Sequence, residues 1–135
     1  MFEIGRIYNR RREIHAKYGG QEQGGIATPS GKPFIFLFTA EAGADYGYKD
    51  GWNKEGVFLY TGEGQTGDME FVRGNRAIRD HIENGKALHL FKSLGKGKDY
   101  EYIGRFVSHS WEIRQGLDVN KQSRQTIVFN LVQTE

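Results

Sequence analysis

Cysteine is absent from the sequence. That excludes a disulfide scaffold, a thiolate zinc site and a cysteine nucleophile, and it fits a reducing compartment such as the cytoplasm. Long apolar runs are missing too. Nothing approaches the roughly 18 to 20 residues that a membrane-spanning helix requires, and the N-terminus lacks the apolar core of a signal peptide, so no membrane partner is expected. There is no internal repeat and no low-complexity tract. Net charge nearly cancels at +2, which argues neither for nor against nucleic acid, because phosphate contact depends on clustering rather than on the total.

What is there fits one domain. A chain of 135 residues is long enough for a real core and too short for two domains, so residues 1–135 are read as a single unit. Hydrophobic residues make up 37% and charged ones 27%, ordinary for a globular protein, while the 13% aromatic share is high. Positive charge does cluster, at Arg10, Arg11 and Arg12, at Arg73, Arg76 and Arg79, and at Lys92, Lys96 and Lys98. Each cluster also reads as solvated surface.

Along the chain, Phe2, Ile4 and Ile7 suggest an opening strand over residues 1–8. Asn9 then reads as the cap of a short helix over 10–17, anchored by Ile14 and stopped at Tyr18-Gly19-Gly20. Residues 21–25 have no hydrophobic period and are expected to form a mobile polar loop. Phe34 to Thr39 is an apolar run of strand length, which predicts a central strand buried on both faces. Val57 to Thr61 predicts the next strand. A helix is expected from Asp68 to Gly85, interrupted at Gly74 and Asn75, with Asn75 able to cap a second start. Strands are predicted over 88–94, over 100–111 with Tyr102, Gly104, Phe106 and Ser108 on one face, and over 125–132 with Ile127, Phe129 and Leu131 on one face. Five or six strands, few helices and many glycine turns give an α+β fold with a curved sheet, partly closed into a β-barrel and flanked by two to three helices.

The densest chemistry lies between Tyr46 and Ala77. A pocket for a flat ring needs aromatic faces to sandwich it, an acceptor to read its edge and backbone freed by glycine. Tyr46, Tyr48, Trp52 and Tyr60 supply rings, Asp50 the acceptor, and Gly62, Gly64 and Gly67 the close approach. The same residues also read as a plain hairpin with an exposed acidic turn and core tyrosines. The histidines point away from catalysis. Asp80 and His81 are adjacent, hence about 100 degrees apart on a helix, and His81 is expected at the surface. His89, in an apolar strand, is expected to be a satisfied core residue. His15, His81, His89 and His109 have no metal-ligand spacing, so neither metal nor cofactor is expected.

Five stretches carry a resemblance across nearly the whole chain: YGGQEQGGI from Tyr18, YGYKDG from Tyr46, YTGEG from Tyr60, GDMEFVRGNRAIRDH from Gly67 and KALHLF from Lys86. They resemble the SRA (SET and RING associated) domains, most closely the SRA-like modules of McrA-type HNH restriction endonucleases. The resemblance implies an SRA/PUA-like barrel. It also implies a binding module for double-stranded DNA containing 5-methylcytosine or 5-hydroxymethylcytosine, which flips the base into an aromatic pocket for a type IV, modification-dependent restriction system. Tyr48 and Tyr60 would stack the ring, with Tyr46 and Trp52 nearby. Asp50 would accept from the exocyclic amine, while Thr61 and backbone amides near Gly62 would meet the rest of the ring. DNA contacts would come from Arg10, Arg11, Gln21, Glu22, Gln23, Arg73, Asn75, Arg76 and Lys96. Only three residues separate Gly64 from Asp68, fewer than in eukaryotic members. No HNH signature is present, so cleavage is expected from a fused or partner HNH domain. A nucleoside-processing enzyme using Asp50, Glu63 and Asp68, or an RNA-binding PUA-like domain, stands as the alternative.

Overall fold

The Phe34–Thr39 run sets the architecture. A computed structural model describes residues 1–39 and 50–135, and in it all six residues of this strand, β3, are buried. Apolar side chains on both faces of a strand must be covered on both sides, and the chain achieves this by curving one sheet. Its other elements are β1 (Ile7–Tyr8), a π-helical turn at Arg10–His15 continuing into α1 (Ala16–Tyr18), β2 (Ile26–Ala27), β4 (Gly51–Trp52), β5 (Phe58–Thr61), α2 (Arg73–Arg79), β6 (Ala87–Ser93), β7 (Tyr100–Leu117) and β8 (Ser123–Gln133). The strands run in the order β2-β3-β6-β7-β8-β5-β4, with β1 added to β7. Among the described residues only the β3–β6 pair is parallel, with Phe34 opposite Ala87 and Thr39 opposite Lys92.

Alternation along β3 divides the interior in two. Ile35 and Leu37 pack with Tyr60, Ile78, Leu88, Leu90, Phe106 and Phe129. Phe34, Phe36 and Phe38 point the other way, toward Tyr8, Ile14, Phe91 and Tyr102. On β6 plain alternation sends Leu88 and Leu90 to the first side and Phe91 to the second. The register shift opposite Leu90/Phe91 leaves Ile103 of β7 unpaired, so Tyr102 faces the second side instead of sharing one face with Phe106 as expected. Gly104, at φ +147°, turns β7 between the two; a Cβ there would collide with Gln133 and the Glu135 backbone.

The sheet is curved but not closed: β2 and β4 stand at its two edges, so the expected barrel closure is not made by strand pairing among the described residues. Side chains span the open seam instead. The Tyr60 hydroxyl on β5 lies 2.8 Å from the carbonyl of Gly25 and 3.1 Å from that of Phe38 on β3. Asp50 accepts from Thr61 N at 2.7 Å and from the Thr39 hydroxyl at 2.9 Å, tying the same two strand ends.

Several local expectations change. The opening strand is only Ile7–Tyr8; Ile4 and Ile7 are exposed, while Phe2 and Tyr8 turn inward to the aromatic core. Asn9 does cap the first helical turn, its side chain accepting from Arg12 N at 2.9 Å. The 21–25 loop is held rather than free, because Arg10 donates to the carbonyls of Gln21 and Gly24 and the Gln21 side chain accepts from Thr28 N. The long helix expected over 68–85 shortens to Arg73–Arg79. Residues before it bond sideways to β8 instead, Met69 N to the Gln125 carbonyl and Asp68 to Gln125 N. His81 is buried, not at the surface: Nε2 accepts from Ser108 N at 2.9 Å, leaving Nδ1 to donate to the Lys86 carbonyl at 2.7 Å. His89 is the satisfied core histidine expected, bonded at 2.7 Å to the Tyr102 hydroxyl. No helix among the described residues is long and apolar enough to cross a membrane.

Candidate functional site

Where the two cores meet at the open seam they leave a cavity of about 440 Å³, within the usual range for small-molecule sites. The C-terminal end of β3 contributes Phe38, β5 contributes Tyr60 and Thr61, and β8 contributes Arg124 and Thr126. Asp50, Glu63 and Met69 complete the polar and apolar walls. Glycine is required at Gly62, since a Cβ would lie 2.6 Å from Asn75 Oδ1. The Gly64–Gly67 turn over the cavity is pinned by Arg124, which donates to the carbonyls of Gly64 at 2.7 Å and Gly67 at 3.1 Å, and by Asp118, which accepts from Gly67 N.

Asp50 is the only expected edge-reading acid, and it does face this space. Burial pushes its carboxyl above the usual carboxylate range, against the hydrogen bonds from Thr61 and Thr39 that favour the charged form. Each oxygen carries one such bond, so each keeps acceptor capacity for a ligand. Glu63 shares the cavity, with one oxygen accepting from Gly74 N at 2.9 Å. Asp68 is turned to the β8 backbone and does not line it. Among the described residues Arg124 Nε is buried with no hydrogen-bond partner. The Thr61 hydroxyl is close enough to Asp50 to favour its charged form, though outside good hydrogen-bond geometry. Both belong to residues that line the cavity.

The other expected pocket residues distribute unevenly. Tyr60, Thr61 and Gly62 line the cavity with Asp50. The Tyr60 ring is only 2% exposed and its hydroxyl is committed to the seam. Burial raises the phenol pKa well above its ordinary value. The amides expected to meet a ring edge are engaged: Thr61 N with Asp50 and Gly62 N with the Ile127 carbonyl. Trp52 is 50% exposed, packs edge-on against Phe58, and is not part of the cavity. Tyr46 and Tyr48 lie outside the described residues. Sequence reasoning missed Phe38, Arg124 and Thr126. Phe38 carried a signal, as the last ring of the central strand; Arg124 and Thr126 become cavity residues only through the pairing of β8 with β5.

The family model described as "ScoMcrA-like, SRA domain" matches residues 4–135. The chain belongs to the ScoMcrA-like SRA domain family. Among solved structures it is similar to the sulfur binding domain and SRA domain of ScoMcrA complexed with phosphorothioated DNA, at TM-score 0.78 and 25% identity over 98% of this chain and 40% of that one. The type IV phosphorothioation-dependent restriction endonuclease ScoMcrA gives TM-score 0.78 and 24% identity over 98% of this chain and 26% of that one. The SRA domain of SUVH5, in complex with hemimethylated CG DNA, shares the fold at TM-score 0.69 and 20% identity, over 98% and 88%. The chain thus spans less than half the length of the two ScoMcrA chains. No curated protein is matched by it.

In this SRA domain the residues expected to grip DNA fall into two groups. Some are structural struts. Asn75 is 1% exposed and bonds Glu63 N, the Glu63 carbonyl and the Glu70 carbonyl. Arg10 donates to His15, Gln21 and Gly24 and lies 3.7 Å over the Phe38 ring. Gln21 is bonded to Thr28. Others reach solvent: Gln23, Arg73, Arg76 and Lys96 are exposed, and Arg11 pairs with Glu22 at 2.9 Å on the surface. Arg73 holds φ +47°, a strained conformation for a residue with a side chain.

Proposed function

We propose that this SRA domain binds double-stranded DNA containing 5-methylcytosine or 5-hydroxymethylcytosine, holding the modified base outside the helix in the cavity at the open seam. The observation that carries the reading is an inward carboxylate, Asp50, on an open cavity whose wall also holds the Arg124 guanidinium. Cytosine offers a donor at its amine and acceptors along the rest of its pairing edge, which complements an acid and a guanidinium. Phe38 is stacked against Phe91 and covered by the Arg10 guanidinium, and Tyr60 is 2% exposed, so ring surface for the base falls to Tyr48, the expected stacking residue. Extrusion costs a few kcal/mol and stacking returns about 1 to 3 kcal/mol per base, so phosphate contacts must contribute as well. The structural likeness to SRA domains solved with methylated and hydroxymethylated CG DNA supports the same reading. In this reading the domain acts in the cytoplasm as the recognition module of a type IV restriction system, with cleavage supplied by an HNH domain.

Asp50→Asn keeps an oxygen for Thr61 N and an amide group for Thr39 while removing the second acceptor. Anisotropy with unmodified, 5-methylcytosine and 5-hydroxymethylcytosine duplexes, alongside matched RNA, is expected to show preference for modified DNA in the wild type and its loss in Asp50→Asn. A 2-aminopurine beside the modified base should brighten on binding. Equal affinity for all duplexes, or tighter binding to the RNA, sinks the reading. Asp50 and Glu63 sharing one cavity favours a second reading, a nucleoside-processing enzyme, for which consumption of free nucleosides is the assay.

A further inference from the structure

The turn joining β6 to β7 reads Lys92-Ser-Leu-Gly-Lys-Gly-Lys98, and its shape is fixed by its own hydrogen bonds. Gly95 and Gly97 take positive φ, Lys98 N bonds the Gly95 carbonyl, and Leu94 N bonds the Asp99 carbonyl. Three lysines therefore stand on one tight turn. The adjacent acid, Asp99, accepts from Asn9, and none of the three lysines forms an ion pair among the described residues. Across an open cleft of about 990 Å³ stand Arg10 and Arg11, with Arg11 81% exposed at its side chain and paired, among the described residues, with Glu22. Five cations thus face one another against two carboxylates, Glu22 and Asp99. Like charges gathered this way repel and favour a polyanion between them. Five cations on one open cleft exceed what a single phosphate can neutralise, which suits successive phosphates. The cleft adjoins the base cavity, since Arg10 lines the cleft and its guanidinium lies over Phe38, which lines the cavity.

We propose that this cleft is the phosphate track of the domain, in which Lys92, Lys96 and Lys98 grip the backbone of the duplex beside the flipped base. The inference rests on the DNA-binding reading above but not on base recognition. Lys92, Lys96 and Lys98 are exposed, so the triple alanine variant should keep the wild-type melting temperature. In anisotropy titrations over a salt series it should weaken binding to modified and unmodified duplexes by a similar factor. The slope of log K against log salt should fall by roughly 2 to 3, about 0.9 for each phosphate no longer neutralised. A charge-matched control, Lys32, Lys54 and Lys121 to alanine, should leave the slope unchanged. Unchanged slope and affinity in the cleft variant overturns the track, as does an equal loss in the control. Competition by poly-glutamate as effective as by DNA of equal charge overturns it too, by making the cleft a general acid-binding surface. Failure of base recognition reads out separately, as loss of the modified-over-unmodified ratio in the wild type with the salt effect of the lysines intact.

Discussion

The two cores on either side of β3 are finished in opposite ways. Around Phe2 the interior is ring against ring, with Phe91 at 5.0 Å, Tyr8 and Tyr102 at 5.2 Å and Phe36 at 5.8 Å between centroids, and the His89–Tyr102 bond lies among them. At the seam, Tyr60 and Asp50 hold two strand ends through side-chain hydrogen bonds, and a cavity remains between them. Aromatic packing fills space and resists deletion; polar clips fix a distance and leave space behind. Stability should therefore reside mainly on the aromatic side, and recognition at the seam.

The strongest test of that division is Phe91→Ala. Deleting a fully buried ring should cost about 3 to 5 kcal/mol, read by urea unfolding, while folded protein keeps its preference for modified DNA. A loss below 1 kcal/mol would show that the aromatic side does not dominate. Next in size is an acid effect. Burial brings the His89 pKa down to about 4 from an ordinary 6.5, so the unfolded chain takes up a proton below pH 6.5 and the folded one resists until about pH 4. Stability present above pH 6.5 should thus decline by about 3 kcal/mol as pH falls to 4. Comparing urea midpoints of wild type and His89→Phe across that window isolates the contribution; parallel curves would remove His89 as its source.

At the seam the expected effects are smaller in stability and larger in binding. Tyr60→Phe leaves two carbonyls without their donor and should cost about 1 to 3 kcal/mol, with thermal melts as the measure; no change would mean the hydroxyl does not hold the seam. Asp50→Asn should alter stability by less than about 1 kcal/mol at pH 7, since a carboxyl raised by burial is not stabilising in its charged form. In the wild type, preference for modified DNA should fade on acidification earlier than an ordinary carboxylate would titrate. Asp50→Asn should abolish both the preference and its pH dependence. An Asp50→Asn protein that was strongly destabilised yet still discriminated would reverse the roles assigned to the two sides.

The sequence by itself determined much of this. The apolar run of β3, the alternation of Ile127, Phe129 and Leu131 on β8, the Asn9 cap and the buried His89 all follow from local period and side-chain chemistry. So does Asp50 as the acid to examine. Tertiary structure decided the rest, because it depended on which distant backbone groups became neighbours. Asp68 and Met69 left the expected helix when β8 offered Gln125 as a partner, and Ser108 on a bulged strand gave His81 an interior place. The cavity draws on residues from Gly25 to Thr126. A residue's own period says which way it points from its strand; only the meeting of β3 and β5 at an unclosed edge says that Tyr60 becomes a strut, Asp50 a clip, and Arg124 a wall.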